Sequence, residues 1–330
     1  MQQRQAEKLT RATSSATTFE AVSREFHDTK AAEWSEQYAE QWIERMQRDL
    51  FPTLGALPLR DILSPALLGA LRLVEARGAI DSAHTLRQQA GQVFRFGIAT
   101  GRCSSDPAAS LKGALKSVIV TNMAAITDPA GVATLMRAID DYRGHPVTRG
   151  ALVLSALTFQ RPGNVRAMEW AEIDTDAALW TIPADKMKRK LHGKENGRPH
   201  MVPLAQQALA VLAALRPLTS HGRFVFPSLL TGERCMSDNT INTALRRIGY
   251  TNDEMTAHGF RAMARTILDE RLGVNPEAIE AQLAHGKSGP LGAAYDRAEF
   301  MEQRRQMMSA WADFLDTLRS GAKVIPIRVA

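Results

Sequence analysis

The stretch LTFQRPGNVRAMEWAEIDTDAALWTIPADKMK, residues 157–188, holds the change of pattern that decides the fold. Before it, apolar residues recur at helical spacing over roughly 131–142 and 147–158. Within it, Pro162 suits the first position of a helix, so a helix is expected to start there. Then the period changes. Ile173 to Asp174, Trp180 to Pro183 and His200 to Pro203 are short, β-prone runs separated by turn residues. Helical spacing returns at about 205–215, 238–248, 257–271, 276–284 and 297–319. The spacing therefore predicts a mostly helical domain holding a small sheet.

Working outward to the N-terminus, residues 1–17 read as a linker or tail. Thr18 reads as an N-cap, and Phe19, Val22 and Phe26 follow at helical spacing. Further helices are expected at roughly 35–50, 64–78 and 81–100, so residues 18–115 form an all-helical domain. The pattern weakens over 116–130, where Asp128-Pro129 marks a break and the interdomain linker is placed. A second domain spans 131–320, and 321–330 is a C-terminal tail. The fold class is mainly α with a small antiparallel β-sheet.

The chain of 330 residues has 41 Lys and Arg against 35 Asp and Glu, a net charge of +6. That modest excess suits a polyanionic partner without proving one. Cys103 and Cys235 stand far apart, with no CxxC pair or Cys/His cluster, which argues against zinc and fits a reducing cytoplasm. Both read as small apolar residues rather than nucleophiles. There is no secretory leader pattern, no run of about 18 apolar residues and no glycine-rich phosphate loop. No metal, cofactor or membrane is expected.

Four clusters can carry chemistry. Arg161 precedes the helix at Pro162, where a guanidinium and free backbone N–H groups can face one anion, although a solvated Arg beside a turn has the same spacing. Phe260, Met263, Ala264, Ile267 and Leu268 mark the buried stripe of the next candidate helix. His258, Arg261 and Arg265 then fall on its open face, where an imidazole and a guanidinium one turn apart suit a phosphate. Alone, the pattern equally describes a solvated face with a capping His. His285 follows Leu283, which reads as core, and Tyr295 lies between small and polar residues. A free phenol has a pKa of about 10, so Tyr295 as a nucleophile needs help. Finally, Lys186, Lys188, Arg189 and Lys190 lead into the turn between two strands, a basic hairpin tip that is either a solvated charge run or a finger for a nucleic-acid groove. Met307, Met308, Trp311, Phe314, Leu315 and Leu318 follow helical spacing and read as core.

Together these clusters resemble the tyrosine recombinase (phage integrase) family, in its satellite-phage and genomic-island integrase branch. The carrying residues are LTFQRPGNVRAMEWAEID, WTIPADKMK with PHMVPL, MSDNTINTALRRIGY, DEMTAHGFRAMART, QLAH, AAYDR and RRQMMSAWADFLDTL, in the family's order. The resemblance implies a SAM-like helical core-binding domain followed by a catalytic domain. It implies Arg161 and Arg261 as phosphate-binding arginines, Lys188 as the hairpin general acid, His258 and His285 as the two histidines and Tyr295 as the nucleophile. Lys186 or Lys190 could instead be the acid, since the hairpin tip is long for this branch. Asn164 stands where the family usually has Glu.

The implied activity is site-specific recombination, integrating or excising a mobile element through a 3′-phosphotyrosyl intermediate without metal or ATP. The implied partners are double-stranded DNA attachment sites, a homo-tetramer assembled on DNA and DNA-bending accessory proteins. The implied location is the bacterial cytoplasm, at the nucleoid. Arg87 and Arg95, two turns apart on one predicted helix, join Lys186, Arg189, Lys190 and Arg265 as candidate DNA contacts. Rival readings are DNA relaxation like that of a type IB topoisomerase and a non-catalytic DNA-binding accessory protein.

Overall fold

A computed structural model describes residues 17–118, 123–188, 193, 197–285 and 300–321. The chain divides into two compact units, 1–121 and 122–330. Among the described residues, no helix is long and apolar enough to cross a membrane.

The first unit is helical throughout. Its elements are α1 (Phe19–Ala31), α2 (Glu36–Asp49), the single turn α3 (Phe51–Leu54), α4 (Ser64–Ala76) and α5 (Ile80–Ala99). Thr18 and Ser35 cap α1 and α2 by accepting from the amides of Ala21 and Tyr38. Phe19, Phe26, Trp42, Leu67, Leu71, Leu86 and Phe94 meet in one core. Along α5 the apolar stripe faces that core, which leaves Arg87 and Arg95 on another side.

The second unit is built around α7 (Pro146–Thr158), of which ten residues are buried. A helix that is apolar nearly all round must be wrapped, and α6 (Pro129–Asp140), α9 (Gln206–Thr219), α10 (Thr240–Arg247), α11 (Gly259–Glu270) and α13 (Met301–Ser320) pack on it. Proline occupies the first position of α6, α7, α8 (Pro162–Arg166) and α12 (Pro276–Gln282), where its missing N–H costs nothing. Met307, Met308, Trp311, Phe314, Leu315 and Leu318 of α13 are buried, as their spacing predicts.

The sheet has three antiparallel strands in sequence order: β1 (Ile173–Asp174), β2 (Leu179–Ile182) and β3 (His200–Pro203). Trp180 faces Val202 and Ile182 faces His200, and all four are buried, so alternation turns one face to the core. The fold class read from the sequence is the observed one. Gly259 opens α11 where a Cβ would come within 2.4 Å of the Ala124 carbonyl oxygen, so glycine permits that approach.

Candidate active site

Four segments of the second unit deliver the site. Arg161 is the N-cap of α8, His258 the N-cap of α11, Arg261 lies in the first turn of α11, and His285 follows α12. Helix α8 has only five residues, so its dipole contributes little and the arginine side chain is the feature that matters there.

Arg261 departs from the expected open face: it is 4 % exposed. Its Nη1 donates to the Phe159 carbonyl at 2.9 Å, and its Nη2 donates to the Leu283 carbonyl at 2.7 Å. The helix periodicity placed it opposite the core stripe correctly, but the 283–285 segment covers that side. Arg161 Nη2 donates to the Ala284 carbonyl at 3.3 Å. The two guanidinium groups are thus anchored to adjacent carbonyls of one short segment.

Two of the anchoring residues have left-handed backbones although neither is glycine: Phe159 at φ 43° and Ala284 at φ 51°. Each such residue costs about 1–2 kcal/mol, which the surrounding packing must hold. Phe159 is fully buried, edge-on to Trp311. The strained turns end α7 and follow α12, and they aim main-chain oxygens at the two arginines.

His285 Nε2 lies 3.1 Å from Arg261 Nη2, and its Nδ1 lies 2.6 Å from Glu280 Oε2. Arg261 can only donate, so Nε2 accepts and the Nδ1 proton is donated to Glu280; the tautomer follows from these partners. Glu280 also accepts from Arg265 Nε at 2.8 Å. Arg265, a candidate DNA contact, therefore bears on the site through Glu280.

The cluster is electropositive. Burial and the charge of Arg161 push Arg261 down to about 10, with Glu280 opposing them, so it stays charged at neutral pH. His258 reaches solvent, yet protein atoms crowd its ring. That partial burial, with the charges of Arg261, Arg161 and Lys188, and of His285 when it is protonated, holds its pKa below the usual histidine value. Its neutral form, a proton acceptor, is favoured at pH 7. A group of cations short of negative charge is suited to a phosphate diester.

Lys188 is exposed, past a short 3-10 turn at Ala184–Lys186, and its charge reaches His258. Lys186, offered by the sequence as an alternative acid and a DNA contact, is engaged at the root of the hairpin. Its Nζ donates to the Ala167 carbonyl at 3.0 Å and to the carboxylates of Glu169 and Glu172. Glu169 also pairs with Arg223, whose hydrogen bond leads the causes that lower its pKa, while Glu172 accepts from Trp180 Nε1 at 3.0 Å. Lys186 thus fixes the root of the hairpin. Arg189, Lys190, Tyr295 and the C-terminal tail beyond residue 321 lie outside the described residues.

Asn164 is buried, with Nδ2 3.5 Å from the Met187 sulfur. Cys235 is half-buried beside Arg166, and Cys103 is half-buried with its thiol pushed up by burial. In the first unit, Arg87 Nη1 donates to the Ala108 carbonyl at 3.1 Å and Arg95 Nη1 to Asp106 at 2.8 Å. Both line one shallow hollow, and the Arg95 side chain remains 60 % exposed. Among the described residues, no three His, Cys, Asp or Glu side chains gather as a metal site.

Sequence reasoning missed Glu280 and a buried set beneath the cluster: Gln160, His200, Gln282 and Arg304. Gln160 Nε2 and His200 Nε2 meet the Gln282 carbonyl at 2.8 and 3.1 Å, and Arg304 donates to the Gln282 side chain. One signal was available: Arg304 occupies an apolar stripe with Met307, Met308 and Trp311.

Two arginines and two histidines grouped on a helical scaffold with a small sheet define a cationic class of site suited to phosphate esters. The chain belongs to the phage integrase family, the site-specific tyrosine recombinases, which are DNA strand-exchange enzymes. The family model matches residues 126–301, and the phage integrase central domain matches 19–114. The integrase of Enterobacteria phage P4 is 35% identical over 314 residues, covering 93% of this chain and 71% of that protein. The prophage integrase IntA of Escherichia coli K12 is 33% identical, covering 93% and 72%. In fold, the chain is similar to lambda integrase residues 75–356 in a dimer bound to a core site, with TM-score 0.64, 18% identity and coverage of 82% of this chain and 96% of that one. The lambda integrase tetramer on a Holliday junction gives TM-score 0.64 and 18% identity, covering 87% and 81%.

Proposed function

We propose that this chain cleaves one strand of duplex DNA at an attachment site by attack of Tyr295, with Arg161, Arg261, His258, His285 and Lys188 acting on a single phosphodiester. The observation that carries the proposal is the convergence of both guanidinium groups on the Leu283–Ala284 carbonyls beside His285.

The chemistry follows from charge. A pentavalent phosphorane gathers negative charge on its equatorial oxygens, and Arg161 and Arg261 donate N–H bonds there. His285 joins them once its Nε2 carries a proton. The Tyr295 phenol loses its proton to His258, the phenolate oxygen bonds to phosphorus, and the bond from phosphorus to the 5′ oxygen breaks. Lys188 protonates that departing oxygen. The products are a 3′-phosphotyrosyl link and a 5′-hydroxyl. Attack by another strand's 5′-hydroxyl reverses the step, so the bond is exchanged without ATP.

At the level of domains, residues 18–115 form the core-binding domain and 131–320 the catalytic domain, joined by 116–130, and together they grip duplex DNA. Arg87 and Arg95 contribute backbone contacts, with Arg189 and Lys190 of the hairpin tip. Four copies assemble on two duplexes, as the lambda integrase tetramer does on a Holliday junction. DNA-bending accessory proteins shape the attachment site, and the enzyme works at the bacterial nucleoid.

The test is a nicked suicide duplex carrying the attachment site. Tyr295→Phe is expected to bind it with wild-type affinity and form no covalent adduct. An adduct of wild-type yield from this variant assigns the nucleophile elsewhere. Relaxation of supercoiled DNA lacking the site supports the topoisomerase alternative.

A further inference from the structure

We propose that Arg304 is a positioning residue for the phosphate cradle, acting through Gln282 on the segment that anchors both arginines. This rests on the proposed function of that cluster.

Three contacts of the cradle run to residues 283–285, beside the bond from Arg261 to the Phe159 carbonyl. Leu283 offers its carbonyl to Arg261, Ala284 offers its carbonyl to Arg161, and His285 contacts Arg261 directly. Ala284 holds a left-handed backbone without being glycine. Such a conformation persists only where its surroundings fix it.

Gln282, just before this turn, is fully buried. Its side-chain oxygen accepts from Arg304 Nε at 2.9 Å and Nη2 at 2.7 Å. Its carbonyl accepts from Gln160, the neighbour of Arg161, and contacts the ring of His200 on β3. Arg304 itself is 3 % exposed and also donates to the Met201 carbonyl on β3. One guanidinium on α13 therefore ties the start of the cradle segment to β3, and the same carbonyl ties it to the segment bearing Arg161.

The placement is informative because α13 does not need an arginine to pack. Met307, Met308 and Trp311 on the same stripe seat the helix without a buried charge, by apolar contact and the bond from Trp311 Nε1 to the Ala156 carbonyl. A buried guanidinium is a costly way to fill that stripe, and a fork with fixed geometry is what sets the position of a side-chain amide. The role is indirect: it runs through Gln282 and β3 to the residues that hold the cradle.

The experiment compares full-length wild type, Arg304→Met and Arg304→Lys on two suicide duplexes. One carries the normal scissile phosphodiester; the other carries a methylphosphonate there, which lacks the equatorial charge that the arginines serve. On the normal duplex, Arg304→Met is expected to form adduct at least about 10-fold more slowly at saturating protein, with DNA affinity within about 2-fold of wild type, and Arg304→Lys to recover part of the rate. On the methylphosphonate the Arg304→Met defect should shrink, because the misaimed charges matter less. An unchanged rate on the normal duplex, or an equal defect on both duplexes, overturns the proposal. Should Arg304→Met fail to fold, Gln282→Met breaks the same contact from the other side and is read the same way. Failure of wild type itself to form adduct counts against the proposed function instead.

Discussion

Arg261 and Arg161 differ in what their removal does to the fold. Arg261 is buried among the Phe159 and Leu283 carbonyls, so Arg261→Ala leaves buried acceptors without donors and should cost about 1–3 kcal/mol of stability. Arg161 is half-buried, and Arg161→Ala should cost less than about 1 kcal/mol. Cleavage should fall by about 100-fold or more in both, far beyond any loss of DNA affinity, because affinity comes from dispersed phosphate contacts. Thermal unfolding alongside binding and single-turnover cleavage separates these effects; parallel losses of binding and cleavage would mean that the arginines only dock the duplex. His258 supplies a pH test. Its lowered pKa means that the folded protein binds fewer protons than the unfolded chain between that value and about 6.5. Its contribution to stability is therefore lost as pH falls through that window. With its pKa below the usual 6.5, more than half of it is neutral at pH 6.5, so the cleavage rate there should lie within about 2-fold of the rate at pH 7.5. A rate still climbing steeply above pH 7 contradicts that role. The identities of these residues could be read in the sequence, whereas the burial of Arg261 could not, because the segment covering it is 22 residues away and arrives by tertiary packing.

At the scale of elements, the hairpin depends on its root. Lys186, Glu169, Glu172, Trp180 and Arg223 form one network below Lys188. Lys186→Met leaves two mostly buried carboxylates without that cation, and should destabilise the second unit by about 2–3 kcal/mol while also slowing cleavage. Thermal melts and adduct yields for Lys186→Met beside Lys188→Met test this: a stable, cleavage-deficient Lys186→Met would return Lys186 to consideration as the acid. The sequence displayed most elements clearly, because Thr18 and Pro162 are strong local start signals, Asp128-Pro129 marks a break, and Trp180, Ile182 and Val202 alternate. It did not display which basic residue of the hairpin was spent on structure. Lys186 and Lys188 have the same charge and similar neighbours in sequence; only the two glutamates folded back from 169 and 172 tell them apart.

At the scale of the whole molecule, the chain forms two units with separate cores. Composition suggested a nucleic-acid partner only weakly, since +6 on 330 residues is a small excess. The stronger signal was the order Arg161, Lys188, His258, Arg261, His285, Tyr295, whose members are unremarkable one by one. Helix periodicity explains why Arg161, His258, Arg261 and His285 lie near a turn or a helix start. It cannot show that α8, α11 and the turn after α12 converge, because that depends on α7 being wrapped by its neighbours.

The central claim is that the phenol of Tyr295 takes a DNA 3′ phosphate within this cationic cluster. It is tested most directly by trapping the protein on a suicide duplex, digesting the adduct and sequencing the DNA-bearing peptide by mass spectrometry. The account predicts a single modified peptide, with the nucleotide on Tyr295 through its 3′ phosphate and a free 5′-hydroxyl on the released strand. A nucleotide on any other side chain, or a link through the 5′ phosphate, contradicts it.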